Sequence, residues 1–88
     1  MEQRVDEFAV YRLDRWNARY ERGGQRVTIP VEASADGSIL SVYVGDVAYW
    51  DAPDDALALT DADREAIRRE FTAFYGERGT QVEFDPER

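Results

Sequence analysis

The 88-residue chain predicts an α+β fold: a small antiparallel sheet of β-hairpins, one amphipathic helix over about residues 60–76 packed on it, and a closing strand over about residues 80–85. Three observations predict it. Residues 26–32 alternate polar and apolar with a period of two. Residues 66–75 place apolar side chains at helical spacing, and Gly23-Gly24 and Ala35-Asp36-Gly37-Ser38 mark turns. A chain of this length removes only about 60% or a little more of its unfolded surface from water, so one core and a single domain over 1–88 are expected.

The first segment admits two readings. Val5, Ala9, Leu13, Trp16 and Tyr20 fit a helical stripe, whereas Glu7 to Leu13 alternates loosely and is rich in Phe, Val and Tyr. Strand is the preferred reading, because Ala18 and Tyr20 keep a two-residue period up to Gly23-Gly24, a pair that permits positive φ at both turn positions. Val27, Ile29 and Val31 then face one way and Arg26, Thr28, Pro30 and Glu32 the other, the pattern of a half-buried strand. Pro30 lacks an N–H, which predicts a sheet edge or a bulge there. The apolar run Ile39 to Val44 makes a second hairpin, and Gly45-Asp46 interrupts it. Val47-Ala48-Tyr49-Trp50 continues the apolar character until Asp51-Ala52-Pro53-Asp54-Asp55 ends regular structure. Thr60 or Asp61 caps the helix carrying Ala66, Ile67, Phe71, Phe74 and Tyr75, and Gly76 and Gly79 stop it. In Thr80-Gln81-Val82-Glu83-Phe84, Val82 and Phe84 point inward along a short strand.

Composition removes much of enzymology. There is no His, no Cys and no Lys, so imidazole and thiol nucleophiles, zinc-finger ligation and Schiff-base chemistry are excluded, and Ser34, Ser38 and Ser41 have no histidine to activate them. Asp51, Asp54 and Asp55 offer oxygens to a hard cation but lack the spacing of a calcium loop; neither a metal nor a cofactor is expected. The opening Met1 to Glu7 places carboxylates where a secretory signal has cations, and no apolar run approaches the roughly 20 residues that span a bilayer. With the absence of cysteine, this makes the cytoplasm the expected compartment.

Charge points to a partner. Nineteen Asp and Glu against eleven Arg give a net charge of −8, unevenly placed: residues 1–44 hold seven acids and six Arg, residues 45–88 twelve acids and five Arg. From Val27 to Ala62 no Arg occurs while Asp46, Asp51, Asp54, Asp55 and Asp61 accumulate. Such a field repels nucleic-acid phosphates and anionic lipid, and raises the encounter rate with a basic protein. Tyr43, Tyr49 and Trp50 adjoin it. Aromatic anchors steered by surrounding acids make Asp46, Tyr49, Trp50, Asp51, Asp54 and Asp55 the candidate partner-binding set. The plainer alternatives are that Trp50 packs in the core and that the aspartates solvate a loop. Trp16 carries the same choice between core and surface. Two rival functions stay open: a nucleic-acid mimic, which adds Asp61, Asp63 and Glu65 in a phosphate-like row, and an oligomerising module that pairs a sheet edge near Pro30. Monomer and homodimer are both compatible with the sequence.

The stretch from Gly24 to Phe84 resembles a bacterial immunity-protein family of polymorphic toxin systems, the seventy-fourth in the immunity series. The resemblance is carried by Arg26-Val27-Thr28-Ile29-Pro30-Val31-Glu32, Val42-Tyr43-Val44-Gly45-Asp46-Val47, Tyr49-Trp50-Asp51-Ala52-Pro53 and the helix opening Leu59-Thr60-Asp61. Ala52 stands where the family often has the first of two prolines, and the opening 20 residues stand outside the pattern. The resemblance implies a small cytosolic binding protein that blocks a cognate toxin without cofactor or turnover.

Overall fold

The computed structural model describes residues 8–87. Strands β1 (Phe8–Arg12), β2 (Asn17–Arg22), β3 (Gln25–Ala33) and β4 (Ile39–Val42) form an antiparallel meander. A 3₁₀ turn (Val44–Asp46) and a long loop lead to α1 (Asp61–Gly76), and β5 (Gln81–Phe84) returns parallel to β4, giving the sheet order β1-β2-β3-β4-β5. The α+β expectation holds, with the closing strand joined through a helical crossover that a parallel neighbour requires.

Strand, not helix, is the state of the N-terminal segment, in two pieces; its first residues, Val5 to Glu7, lie outside the described ones. Alternation sends Val10, Ala18, Tyr20, Val27, Ile29, Val31, Leu40 and Val42 to one face, where Ile67 and Phe71 of α1 complete the core. At the helix start, Thr60 Oγ1 accepts from the Asp63 amide at 3.0 Å while the Thr60 amide donates to Asp63 Oδ2 at 2.9 Å, a reciprocal capping box. After α1, Gly79 takes φ +80°, and the Thr80 amide donates back to Tyr75 O. A second fastening joins the ends of β4 and β5. The Asp85 amide donates to Val42 O at 3.0 Å, and Asp85 Oδ1 accepts from the Gly45 amide at 2.9 Å.

Pro30 corrects the edge expectation, because β3 is the central strand. The Val31 amide donates to Trp16 O on the β2 side, so by alternation the Pro30 nitrogen faces the opposite side, where β4 has just turned away at Tyr43. No ladder bond is lost there, and the Pro30 carbonyl still accepts from the Tyr43 amide at 3.0 Å.

The β3–β4 turn is held by one carboxylate. Asp36 Oδ1 accepts from the Ser38 amide (3.0 Å), Ser38 Oγ (2.8 Å) and Ser34 Oγ (2.9 Å), with Gly37 at φ +75°. These bonds, the Ser38 amide first, hold the Asp36 carboxyl down at about 2. A depressed folded value means that the turn bonds are at full strength above about pH 4, the unfolded value, and fade as pH falls toward 2. The Ser38 amide chemical shift is therefore expected to titrate with a midpoint near 2; a midpoint at 4 would show that the carboxylate is not so bonded.

Candidate functional site

The loop between the 3₁₀ turn and α1 is tied at its base, middle and feet. At the base, Arg64 of α1 donates to Leu59 O at 2.9 Å and Val47 O at 2.8 Å, bracketing both ends of the loop. Across it, the Leu59 amide donates to Ala48 O (2.9 Å) and the Trp50 amide to Leu57 O (3.1 Å), with Tyr49 and Ala58 in an antiparallel bridge. In the middle, Asp51 acts as a strand substitute along the flank of β3 that β4 leaves uncovered. Its amide donates to Arg26 O at 2.8 Å, and its carboxylate accepts from Thr28 N at 3.3 Å and Thr28 Oγ1 at 2.7 Å, with Arg19 Nη2 at 3.9 Å. The feet are Trp50 and Leu59, both in the core cluster.

This geometry divides the sequence-predicted set. Trp50 is only 5% exposed, so of its two readings the core one is adopted: in the free chain it offers no surface to a partner. Asp51 is half-buried and spends its carboxylate on Thr28 and Arg19, which makes it a positioning residue for the loop. Tyr49 is 56% exposed, and Asp46 and Asp55 are exposed with Asp54 half-exposed. Asp54 shapes the tip through backbone bonds, its amide donating to Asp51 O and its carbonyl accepting from Leu57 N, both at 2.9 Å. Leu57, 49% exposed, lies across the loop from Trp50. Sequence reasoning passed over it: its exposure is a property of the folded loop that no local pattern between Ala56 and Ala58 carries. Tyr43 is buried, its hydroxyl donating to Glu32 Oε1 at 3.4 Å.

The helix acids of the mimic reading are arranged differently. Asp63 is engaged in the capping box, and Asp61 and Glu65 line a shallow recess of about 300 Å³ together with Arg64 and Arg68. Guanidinium groups therefore stand among those carboxylates. Among the described residues no group of three His, Cys, Asp or Glu is placed to hold a metal ion, and no helix is long and apolar enough to cross a membrane.

The second tryptophan is the surprise. Trp16, in the turn between β1 and β2, is 56% exposed, with Arg15 stacked over its ring at 5.5 Å. The parity of Ala18 and Tyr20 would send it inward, but β2 begins only at Asn17 and the turn releases it.

Together these features define a small α+β domain whose 47–59 loop is tied at both ends and leaves Tyr49, Asp55 and Leu57 exposed. The chain matches the family model described as Immunity protein 74 over residues 12–85, and it belongs to that family. The match takes in residues 12–20, which the resemblance alone left outside the pattern. No curated protein and no solved structure is significantly similar to it.

Proposed function

We propose that the chain is a non-enzymatic inhibitor that neutralises a cognate toxin in the cytoplasm by docking the 47–59 loop on a basic surface of it. Tyr49 supplies the apolar contact; Asp54, Asp55 and Asp46 supply the field; Trp50, Asp51 and Arg64 hold the loop. The observation that carries this reading is a tyrosine more than half exposed on a loop tied at both ends, within a family named for immunity. An anchor already fixed in place loses little conformational entropy on binding. The acids around it favour fast, salt-sensitive encounter with a cationic partner. Many toxins that act on nucleic acids are basic, and an anionic inhibitor is complementary to them.

The test reverses charge only where the fold does not use it. Asp54→Lys with Asp55→Lys is expected to slow association with the cognate toxin by about 10- to 100-fold at low ionic strength and to flatten its salt dependence. Tyr49→Ala is expected to act mainly on dissociation. Unchanged association and dissociation rates by surface plasmon resonance, with circular dichroism intact, would sink the loop as the interface.

A further inference from the structure

Among the described residues, four of the six large apolar side chains left exposed, Phe8, Tyr11, Leu13 and Trp16, lie in β1 and the turn that follows it. That turn is built, not loose. The Leu13 and Asp14 amides donate to Asn17 O at 2.9 and 3.3 Å, and Asp14 Oδ1 accepts from Trp16 N at 2.9 Å and Asn17 Nδ2 at 3.1 Å. Arg12 closes it from outside, donating to Asp14 O at 3.3 Å and Arg15 O at 2.9 Å, and Trp16 O is fixed by the Val31 amide at 2.8 Å. The backbone groups are satisfied within the turn, while the indole and the Arg15 guanidinium are left facing solvent.

We infer that the Leu13–Trp16 turn is a second contact with the toxin, taking a carboxylate of the toxin on Arg15 beside an apolar recess that receives Trp16 and Leu13. The inference rests on the toxin-neutralising reading above. A guanidinium held over an indole face keeps N–H groups at its edge for two parallel bonds to a carboxylate, a geometry that lysine does not offer. Trp and Arg are the residues most enriched among interface hot spots. The charge is right for an acidic contact: the turn and the end of β1 carry Arg12 and Arg15 against Asp14, in a chain whose net charge is otherwise strongly negative. Stable complexes engage roughly 20–30 residues a side, more than the 47–59 loop supplies, so a second patch is required. The family match opens at Arg12, the residue that closes this turn.

The measurement is calorimetric affinity for the cognate toxin, identified by pull-down with this chain and used in a form made non-toxic. Trp16→Ala is expected to weaken binding on the order of 30-fold or more, with an unchanged melting temperature because the side chain is exposed. Arg15→Glu is expected to weaken it by at least about tenfold, and Arg15→Lys to recover little of that, since the bidentate geometry is lost. If the wild-type chain binds and both Trp16→Ala and Arg15→Glu bind equally well, the turn is not a contact while the toxin reading stands. If the wild-type chain itself fails to bind, the toxin reading fails and this inference with it. A wild-type dimer in sedimentation that Trp16→Ala converts to monomer, with toxin affinity unaltered, would assign the turn to a second copy and overturn the proposal.

Discussion

Trp50→Ala is expected to destabilise the chain by about 3–5 kcal/mol, the range for removing a large aromatic side chain from a packed core. A domain of this length holds roughly 4–13 kcal/mol in total, so the variant should be largely unfolded at 37 °C or melt far below the wild type. The loss is not confined to a cavity. Trp50 is one of the two feet of the 47–59 loop, and its amide carries the cross-loop bond to Leu57 O. With the indole gone, the loop loses its seat as well as its apolar contact. Trp50→Phe, which keeps a buried ring, should cost about half as much or less. Urea titration followed by tryptophan emission reads this cleanly, because the two tryptophans differ in environment. In Trp16→Ala the remaining Trp50 should emit at short wavelength and shift red on unfolding; in Trp50→Ala the remaining Trp16 should emit like solvated indole throughout. A Trp50→Ala chain that keeps its unfolding midpoint would remove Trp50 from the core.

The tryptophans also show where sequence reasoning stops. Local patterns govern single elements well: the alternation of β3, the helical stripe of α1, the Gly23-Gly24 turn and the Thr60 cap are each written within a few residues and each appears in the fold. What local pattern does not contain is which segment lies against which. The turn at residues 13–16 has neither Gly nor Pro and is made by the Asp14 side chain, so the first two strands read as one. Pro30 obeys its chemistry, yet neither the edge nor the bulge expected of its strand is found, because only the departure of β4 decides which side of β3 is open. Asp51, Asp54 and Asp55 are equivalent as sequence. Only the approach of the loop to Arg26 and Thr28 turns the first into a tether, a role the other two do not share.

The other large effect belongs to Glu70, a carboxylate only 8% exposed on the inward side of α1. Tyr20 Oη donates to its Oε1, Arg22 Nη2 lies 3.8 Å from its Oε2 and Arg69 Nη2 3.9 Å, while Arg22 Nη1 also reaches Tyr20 Oη at 3.4 Å. Helix and sheet are thus joined by one polar group, beside the stack in which the Tyr20 ring packs between Phe8 and Phe71. Glu70→Ala strips the buried Tyr20 hydroxyl of its acceptor and is expected to cost about 2–4 kcal/mol. Glu70→Gln keeps an acceptor and should cost less. Paired with Tyr20→Phe, a Glu70→Leu change should recover much of the loss, because a buried polar pair replaced by apolar groups of similar volume is often nearly neutral. Burial first, and then the bond to Glu70, push the Tyr20 hydroxyl well above its ordinary value, so its contribution is complete below about pH 10, where the unfolded chain begins to ionise, and falls as pH rises beyond that. Tyr75, raised by burial, adds in the same direction. Urea unfolding at pH 7 and pH 11 is therefore expected to show lower stability at the higher pH in the wild type and a smaller drop in Tyr20→Phe. Equal drops in both would place the alkaline loss elsewhere, and a Glu70→Ala chain as stable as wild type would mean that the helix is held on the sheet by Ile67 and Phe71 alone.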